Sequence, residues 1–233
     1  MSRALVRPRK AHAAVAAALG MAVAAATTHP ASAALPSSTP SSTTLVLGTT
    51  QSAYGEPVTA SAAVTTASGP APGDVVVSVD GVAFRTTLGA NGTAALVLPP
   101  VAAGAHAVQA TYLPQDPLLH DGSTSSTVTW QVTQARTRLR VDVTGKRRRA
   151  PIAVRVRAAG EHGTAPSGRV RIVVRRAGRT VRVARGELDR GVVGGRLFLD
   201  PGPSRAGRYR VEVAYRGDAD HLAATRNVRF RIR

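Results

Sequence analysis

The sequence predicts an all-β chain: two tandem antiparallel β-sandwiches behind an N-terminal secretion signal and a short linker. Three observations lead there. From Thr44 onward, short segments alternate apolar and polar residues, broken by Gly, Pro and Asn, with no sustained helical period. The chain of 233 residues has no Cys and only 3% aromatics, with 22 Gly and 15 Pro, which argues against a helical bundle. Zero Cys also excludes disulfides, thiolate metal sites and Cys nucleophiles. Finally, the two halves repeat one another. Gly104-Ala105-His106-Ala107-Val108-Gln109-Ala110-Thr111-Tyr112 matches Gly207-Arg208-Tyr209-Arg210-Val211-Glu212-Val213-Ala214-Tyr215 at a constant shift of 103 positions.

Residues 1–33 read as a signal peptide. Arg3, Arg7, Arg9 and Lys10 form a basic start, an Ala-rich run from Ala11 to Thr27 follows, and Ala31-Ser32-Ala33 fits a small-x-small cleavage pattern before Ala34. The run is short and Ala-rich for a membrane span, which needs about 20 strongly apolar residues. No second hydrophobic run follows, so no transmembrane segment is expected after cleavage, and the predicted location is secreted, at or beyond the cell surface. Residues 34–43, rich in Ser, Thr and Pro, read as an extended linker. The first sandwich is placed at 44–134, with strands at 44–49, 57–66, 74–79, 82–87, 93–98, 105–112 and 126–133. The second is placed at 135–233, with strands at 137–144, 151–159, 168–176, 179–185, 194–199, 207–216 and 225–232. Seven strands in each half are what an immunoglobulin-like sandwich requires. The first half is rich in Ala and Val, so its core side chains are expected to be small.

Both halves resemble the bacterial immunoglobulin-like repeat domains of secreted and surface proteins. The resemblance rests on the strand Gly-x-Tyr-x-Val-x-Val-x-Tyr, the following Gly217-Asp218 and His221-Leu222-Ala223-Ala224-Thr225, the turn Gly89-Ala90-Asn91-Gly92-Thr93, and the proline-led second strands at Pro57-Val58 and Pro151-Ile152. The first copy departs from the pattern at Leu113-Pro114-Gln115-Asp116, the second in its load of Arg. The resemblance implies a non-catalytic sandwich used for adhesion, spacing or display.

Charge divides the halves. The chain carries 31 Lys+Arg against 13 Asp+Glu, a formal net charge of +18. Residues 34–134 hold one base, Arg85, and five acids; residues 135–233 hold 26 bases and eight acids. Arg169 and Arg171, Arg208 and Arg210, and Arg229 and Arg231 alternate with apolar residues on strands that the sandwich topology makes neighbours in one sheet. They should form an outward Arg lattice. Lys146, Arg147, Arg148 and Arg149 add a basic loop, and Arg138, Arg140, Arg155 and Arg157 a second set on the other layer. This pattern predicts contact with an anionic cell-wall or extracellular polymer, because the planar guanidinium fork engages two oxygens at once. Exposed stacking aromatics are missing from the pattern, so sequence-specific nucleic-acid recognition is not expected. Two alternatives stand beside it: a purely structural spacer, whose charge serves solubility, and an accessory subunit of a separately encoded extracellular enzyme.

Other motifs read as structure. Arg216-Gly217-Asp218 spells an integrin-type tripeptide, but it falls where the repeat needs a turn. Asn91-Gly92-Thr93 is a sequon and equally a hairpin turn. Asp116, His120 and Asp121, like Asp218, Asp220 and His221, follow no metal-loop spacing and suit turns. His106 aligns with Tyr209 and is expected to pack. No nucleophile elbow, zinc-type His pair or phosphate loop is present, so neither an enzyme nor a cofactor is predicted.

Overall fold

In the computed structural model the described residues are 37–147, 151–193, 197–199 and 205–233. The leader at 1–33, the start of the linker, Arg148 and Arg149 lie outside them. Seventeen strands are formed: β1 (Ser41–Leu47), β2 (Gln51–Ala53), β3 (Val58–Thr66), β4 (Gly73–Val79), β5 (Val82–Thr87), β6 (Thr93–Leu98), β7 (Gly104–Pro114), β8 (Ser123–Thr124), β9 (Val128–Thr133), β10 (Thr137–Thr144), β11 (Ile152–Gly160), β12 (Gly168–Arg176), β13 (Arg179–Asp189), β14 (Val192–Val193), β15 (Leu197–Leu199), β16 (Gly207–Tyr215) and β17 (Ala224–Ile232). The one helical element among the described residues is a single 3-10 turn, Glu161–Gly163.

In the first half a three-stranded sheet, β1-β3-β6, faces a six-stranded one, β2-β9-β7-β4-β5, with β8 beside β7. All pairs are antiparallel except β2 with β9. Period-two alternation sends Leu45, Leu47, Val58, Ala60, Ala62 and Val64 inward from one layer, and Val75, Val77, Val79, Val108, Ala110 and Tyr112 from the other. Several inward residues are Ala, and Trp130 is the bulkiest side chain buried in the same core. It is 2% exposed, and its Nε1–H donates to Ser52 Oγ at 2.9 Å.

The second half repeats the plan with bulkier residues: Ile152, Ile172, Leu188, Tyr209, Tyr215, Phe230 and Ile232 form a separate core. The two copies share their register. Val75, Val77 and Val79 of β4 face Tyr112, Ala110 and Val108 of β7; Val170, Ile172 and Val174 of β12 face Tyr215, Val213 and Val211 of β16. The β4–β5 and β12–β13 hairpins turn on Asp80-Gly81 and Ala177-Gly178, each pair at positive φ in both residues. This is the turn whose twist matches paired strands.

Two expectations are corrected. The linker does not extend to residue 43, because β1 already starts at Ser41. Thr43, Leu45 and Leu47 all face inward, and Ser41 Oγ donates to Asp121 O at 2.6 Å and lies 2.7 Å from Ser123 Oγ. Hydroxyl hydrogen bonds thus supply what the polar composition withholds from the core. In the second half, moreover, the two layers are one continuous eight-stranded sheet, β10-β11-β14-β13-β12-β16-β17, with β15 beside β11. The tight turn at Arg190-Gly191 lets β14 pair with both β13 and β11 and stitches the layers together. Of the strand expected at 194–199, Leu197–Leu199 is seen as β15, and 194–196 lie outside the described residues.

Candidate functional site: an arginine face and a buried junction

Strands β12, β16 and β17 are consecutive neighbours, as the alternation requires, and β13 extends the same sheet. Arg169, Arg171, Arg208, Arg210, Arg229 and Arg231 are all exposed. Pairing register sets their spacing. Arg175 stands opposite Arg210, and Arg210 opposite Arg229; one step along, Arg208 stands opposite Arg231. Neighbouring strands lie about 4.8 Å apart, so these rows bring like charges close together. Among the described residues, one carboxylate reaches this group: Glu212, 3.4 Å from Arg175 Nε. With Tyr209, Phe230 and the Ala177-Gly178 turn, the five arginines 175, 208, 210, 229 and 231 line a cleft. Lys146 and Arg147 share a further cleft with Arg231 and Arg233, so the basic loop prolongs the rows at the rim of the sheet.

The lattice is not uniform. Halfway along β12 stands Val173, only 3% exposed, with Val183 on one side and Glu212, itself opposite Asn227, on the other. Beyond this band a second cleft is lined by Arg169, Arg171, Arg185, Arg216 and Glu187. Here Arg171 faces Arg185, and Arg169 faces Glu187. Sequence reading missed Arg175, Arg185 and Arg216 as members. Val173 breaks the visible alternation before Arg175, and Arg185 joins only through the register of the β12–β13 hairpin. On the opposite layer Arg138, Arg140, Arg155 and Arg157 are exposed, with Arg140 opposite Arg157 and Asp142 opposite Arg155.

The other titratable residues serve the frame. Asp218 accepts from the Ser167 N–H at 2.8 Å, the Asp220 N–H at 2.9 Å and His221 Nδ1 at 2.9 Å. Burial pushes its pKa up, but the hydrogen bonds from Ser167, His221 and Asp220 outweigh that and hold the carboxyl well below the usual range. Burial, with the Asp218 carboxylate close by, raises the Tyr215 phenol far above its ordinary value. The Asp of the Arg216-Gly217-Asp218 tripeptide is therefore turned inward and saturated. Thr164, His221 and Asp218 form a hydrogen-bonded chain, His221 Nε2 lying 2.9 Å from Thr164 Oγ1. It resembles a nucleophile–base–acid relay, yet it is sealed: the Thr164 hydroxyl donates to Glu161 O at 2.8 Å, and His221 is 3% exposed beneath the edge of the Tyr54 ring.

That chain lies where the two cores meet. Asp220 Oδ1 accepts from the Ala103 N–H, Gln134 Nε2 donates to the carbonyls of Asp218 and Ala219, and Ala135 exchanges backbone hydrogen bonds with Asp220 and Leu222. Gly55 packs so closely on Thr164 that an added Cβ would overlap its methyl group. The short join at residues 134–136 is thus tied on several sides.

His106 packs as expected and gains a partner. Its Nδ1 lies 2.6 Å from Asp80 Oδ2, its Nε2 2.8 Å from Ala102 O, and its ring is tilted against Trp130. Burial opposes the charged ring, but the bonds to Asp80 and Ala102 raise its pKa overall; the same His106 bond and the Ala107 N–H lower that of Asp80. Asp116 and Asp121 are used by the Leu118 N–H and by Ser38. No group of three or more His, Asp or Glu among the described residues is placed to hold a metal, and no helix there is long and apolar enough to cross a membrane.

Comparison with known proteins places this geometry. No curated protein matches the chain in sequence. Among solved structures, it is similar to the fibronectin(III)-like modules of Clostridium thermocellum CbhA, at 14% identity and TM-score 0.31, over 81% of this chain and 94% of that one. It is also similar to the adhesin InvE of Yersinia pseudotuberculosis, at 18% identity and TM-score 0.41, over 81% of this chain and 58% of that one. A third is a Ca2+-stabilized adhesin of an Antarctic bacterium, at 16% identity and TM-score 0.36, over 84% of this chain and 49% of that one. The chain thus spans about half the length of the two adhesin chains. The family model of the bacterial Ig-like domain (group 3) matches residues 44–133, the segment that holds the first core with its Trp130 and Tyr112. Residues 44–133 are therefore a bacterial Ig-like domain of group 3, followed in this chain by a second sandwich with the same strand register and a strongly basic surface.

Proposed function

We propose that the chain is a non-catalytic, secreted or cell-surface Ig-like module that binds and spaces, its second half (135–233) holding it to anionic envelope or extracellular polymers. The supporting observation is the row Arg175–Arg210–Arg229 with its neighbour Arg208–Arg231, like charges placed directly opposite one another across three strands. Such pairs destabilise a sheet, and the first half, residues 34–134, does without them, carrying the single base Arg85. An anionic chain laid over the rows offsets that repulsion with bidentate hydrogen bonds.

The test uses the processed chain and a heparin or polyphosphate column. The wild-type protein elutes at high salt, because bound counterions are released on contact. The quadruple substitution Arg208→Glu, Arg210→Glu, Arg229→Glu, Arg231→Glu elutes early, with its strand circular dichroism unchanged. Retention equal to wild type refutes the assignment. A second reading, a rigid spacer alone, draws on the tied junction between the two cores and predicts no retention near 50 mM salt, where counterion-driven binding is strong.

A further inference from the structure

The arginine face is divided into two clefts, and the division restricts the ligand. Cleft one holds Arg175, Arg208, Arg210, Arg229 and Arg231; cleft two holds Arg169, Arg171, Arg185 and Arg216 around Glu187. The band of Val173, Glu212 and Asn227 lies between them. Glu212 sits on Arg175, which removes one positive charge from the middle of the face and leaves the cations at the two ends. From Arg171 to Arg175 is four residues of extended strand, about 13 Å at 3.3 Å per residue.

We infer that this face binds a linear phosphate polymer running along β12, long enough to occupy both clefts together, and that chain length is what it selects. The inference rests on the anion-binding reading above. Three features favour a linear polymer. A single phosphate group, or a short run of them, fills one cleft and leaves the other empty. A chain that reaches both makes its second contact intramolecular, which raises affinity by orders of magnitude without any new contact type. Arg donors suit phosphate oxygens because their fork bonds two of them at once. A lipid bilayer fits less well. The large apolar side chains exposed on β13 are Val181 and Val183, not the Trp, Phe or Leu that anchor interfacial surfaces.

The experiment titrates the processed chain with tripolyphosphate, with long-chain inorganic polyphosphate and with vesicles of anionic phosphatidylglycerol, at fixed ionic strength, with affinity expressed per phosphate. Long-chain polyphosphate should bind about 100-fold tighter per phosphate than tripolyphosphate. The double substitution Arg169→Ala, Arg171→Ala should remove most of that preference while tripolyphosphate still binds cleft one. The double substitution Arg229→Ala, Arg231→Ala should remove it from the other end. Strand circular dichroism checks that each variant folds. Equal affinity per phosphate at all lengths overturns the two-cleft inference but leaves anion binding standing, and so does an unchanged preference in the Arg169/Arg171 variant. Tighter binding to vesicles than to long chains overturns it in favour of a lipid surface. Failure of every anion to bind overturns the underlying reading as well.

Discussion

Replacing Arg210 with Thr should make the protein more stable and a worse binder at once. Arg210 stands between Arg175 and Arg229, facing both directly. Each like-charge pair across an antiparallel ladder costs on the order of 0.2–1 kcal/mol. The pair with Arg175 is weakened by Glu212, so the pair with Arg229 dominates. Thr also suits an exposed strand position, whereas loss of the Arg stem uncovers some apolar surface. The net gain comes to about 1 kcal/mol at low salt, equivalent to roughly 4–8 °C for a half of about 100 residues unfolding on its own. Urea denaturation followed by circular dichroism, at about 0.01 M and then 1 M salt, measures it, because the screening length falls from about 30 Å to 3 Å between the two. The gain should shrink sharply at high salt, and polyphosphate affinity should fall at low salt. A variant less stable than wild type at low salt, or equally stabilised at both salts, refutes the claim that repulsion across the ladder is held in the folded face.

Four other outcomes follow from the same structure. Tyr112→Phe removes the hydroxyl that donates to Pro72 O at 2.9 Å and should cost about 1 kcal/mol in the unfolding of the first half, read by denaturant midpoint. Ile172→Ala opens the second core and should cost about 2–5 kcal/mol there, while the single Trp, Trp130, which lies in the first core, keeps its fluorescence transition. The raised pKa of His106 means that its bond to Asp80 contributes fully below the unfolded His value near 6.5 and is lost as pH rises through the higher folded value. The lowered pKa of Asp80 means that the contribution is also lost on acidification below about 3.8, so Asp80→Asn should flatten both flanks of the pH–stability curve of the first half. Gly55→Ala has no room beside Thr164 and sits at φ +83, so it should loosen the junction and expose the chain near Gln134-Ala135-Arg136 to limited proteolysis; resistance equal to wild type would show that the contact does not hold the halves.

Much of this protein is legible in one dimension. Period-two alternation with turn residues fixes strand identity and facing, because a strand has only two faces and one must be apolar. That is why β3, β4, β7, β12 and β16 fall where the pattern puts them and why Arg208, Arg210, Arg229 and Arg231 face solvent. The repeat at a shift of 103 likewise foretells the shared register of Tyr112 and Tyr215. Register between strands distant in sequence is another matter, since it depends on hairpin turns, bulges and packing that no local window contains. Tertiary structure alone brought Arg175, Arg210 and Arg229 into one row, buried Val173 in the middle of an outward face and divided the cations into two clefts. It also turned Asp218 and His221, residues that read as plain turn formers, into the hydrogen-bonded seal between two cores. Alternation along a strand is set by backbone geometry. Which charges become neighbours is set by how strands far apart in the chain are aligned, and that alignment is a property of the folded whole.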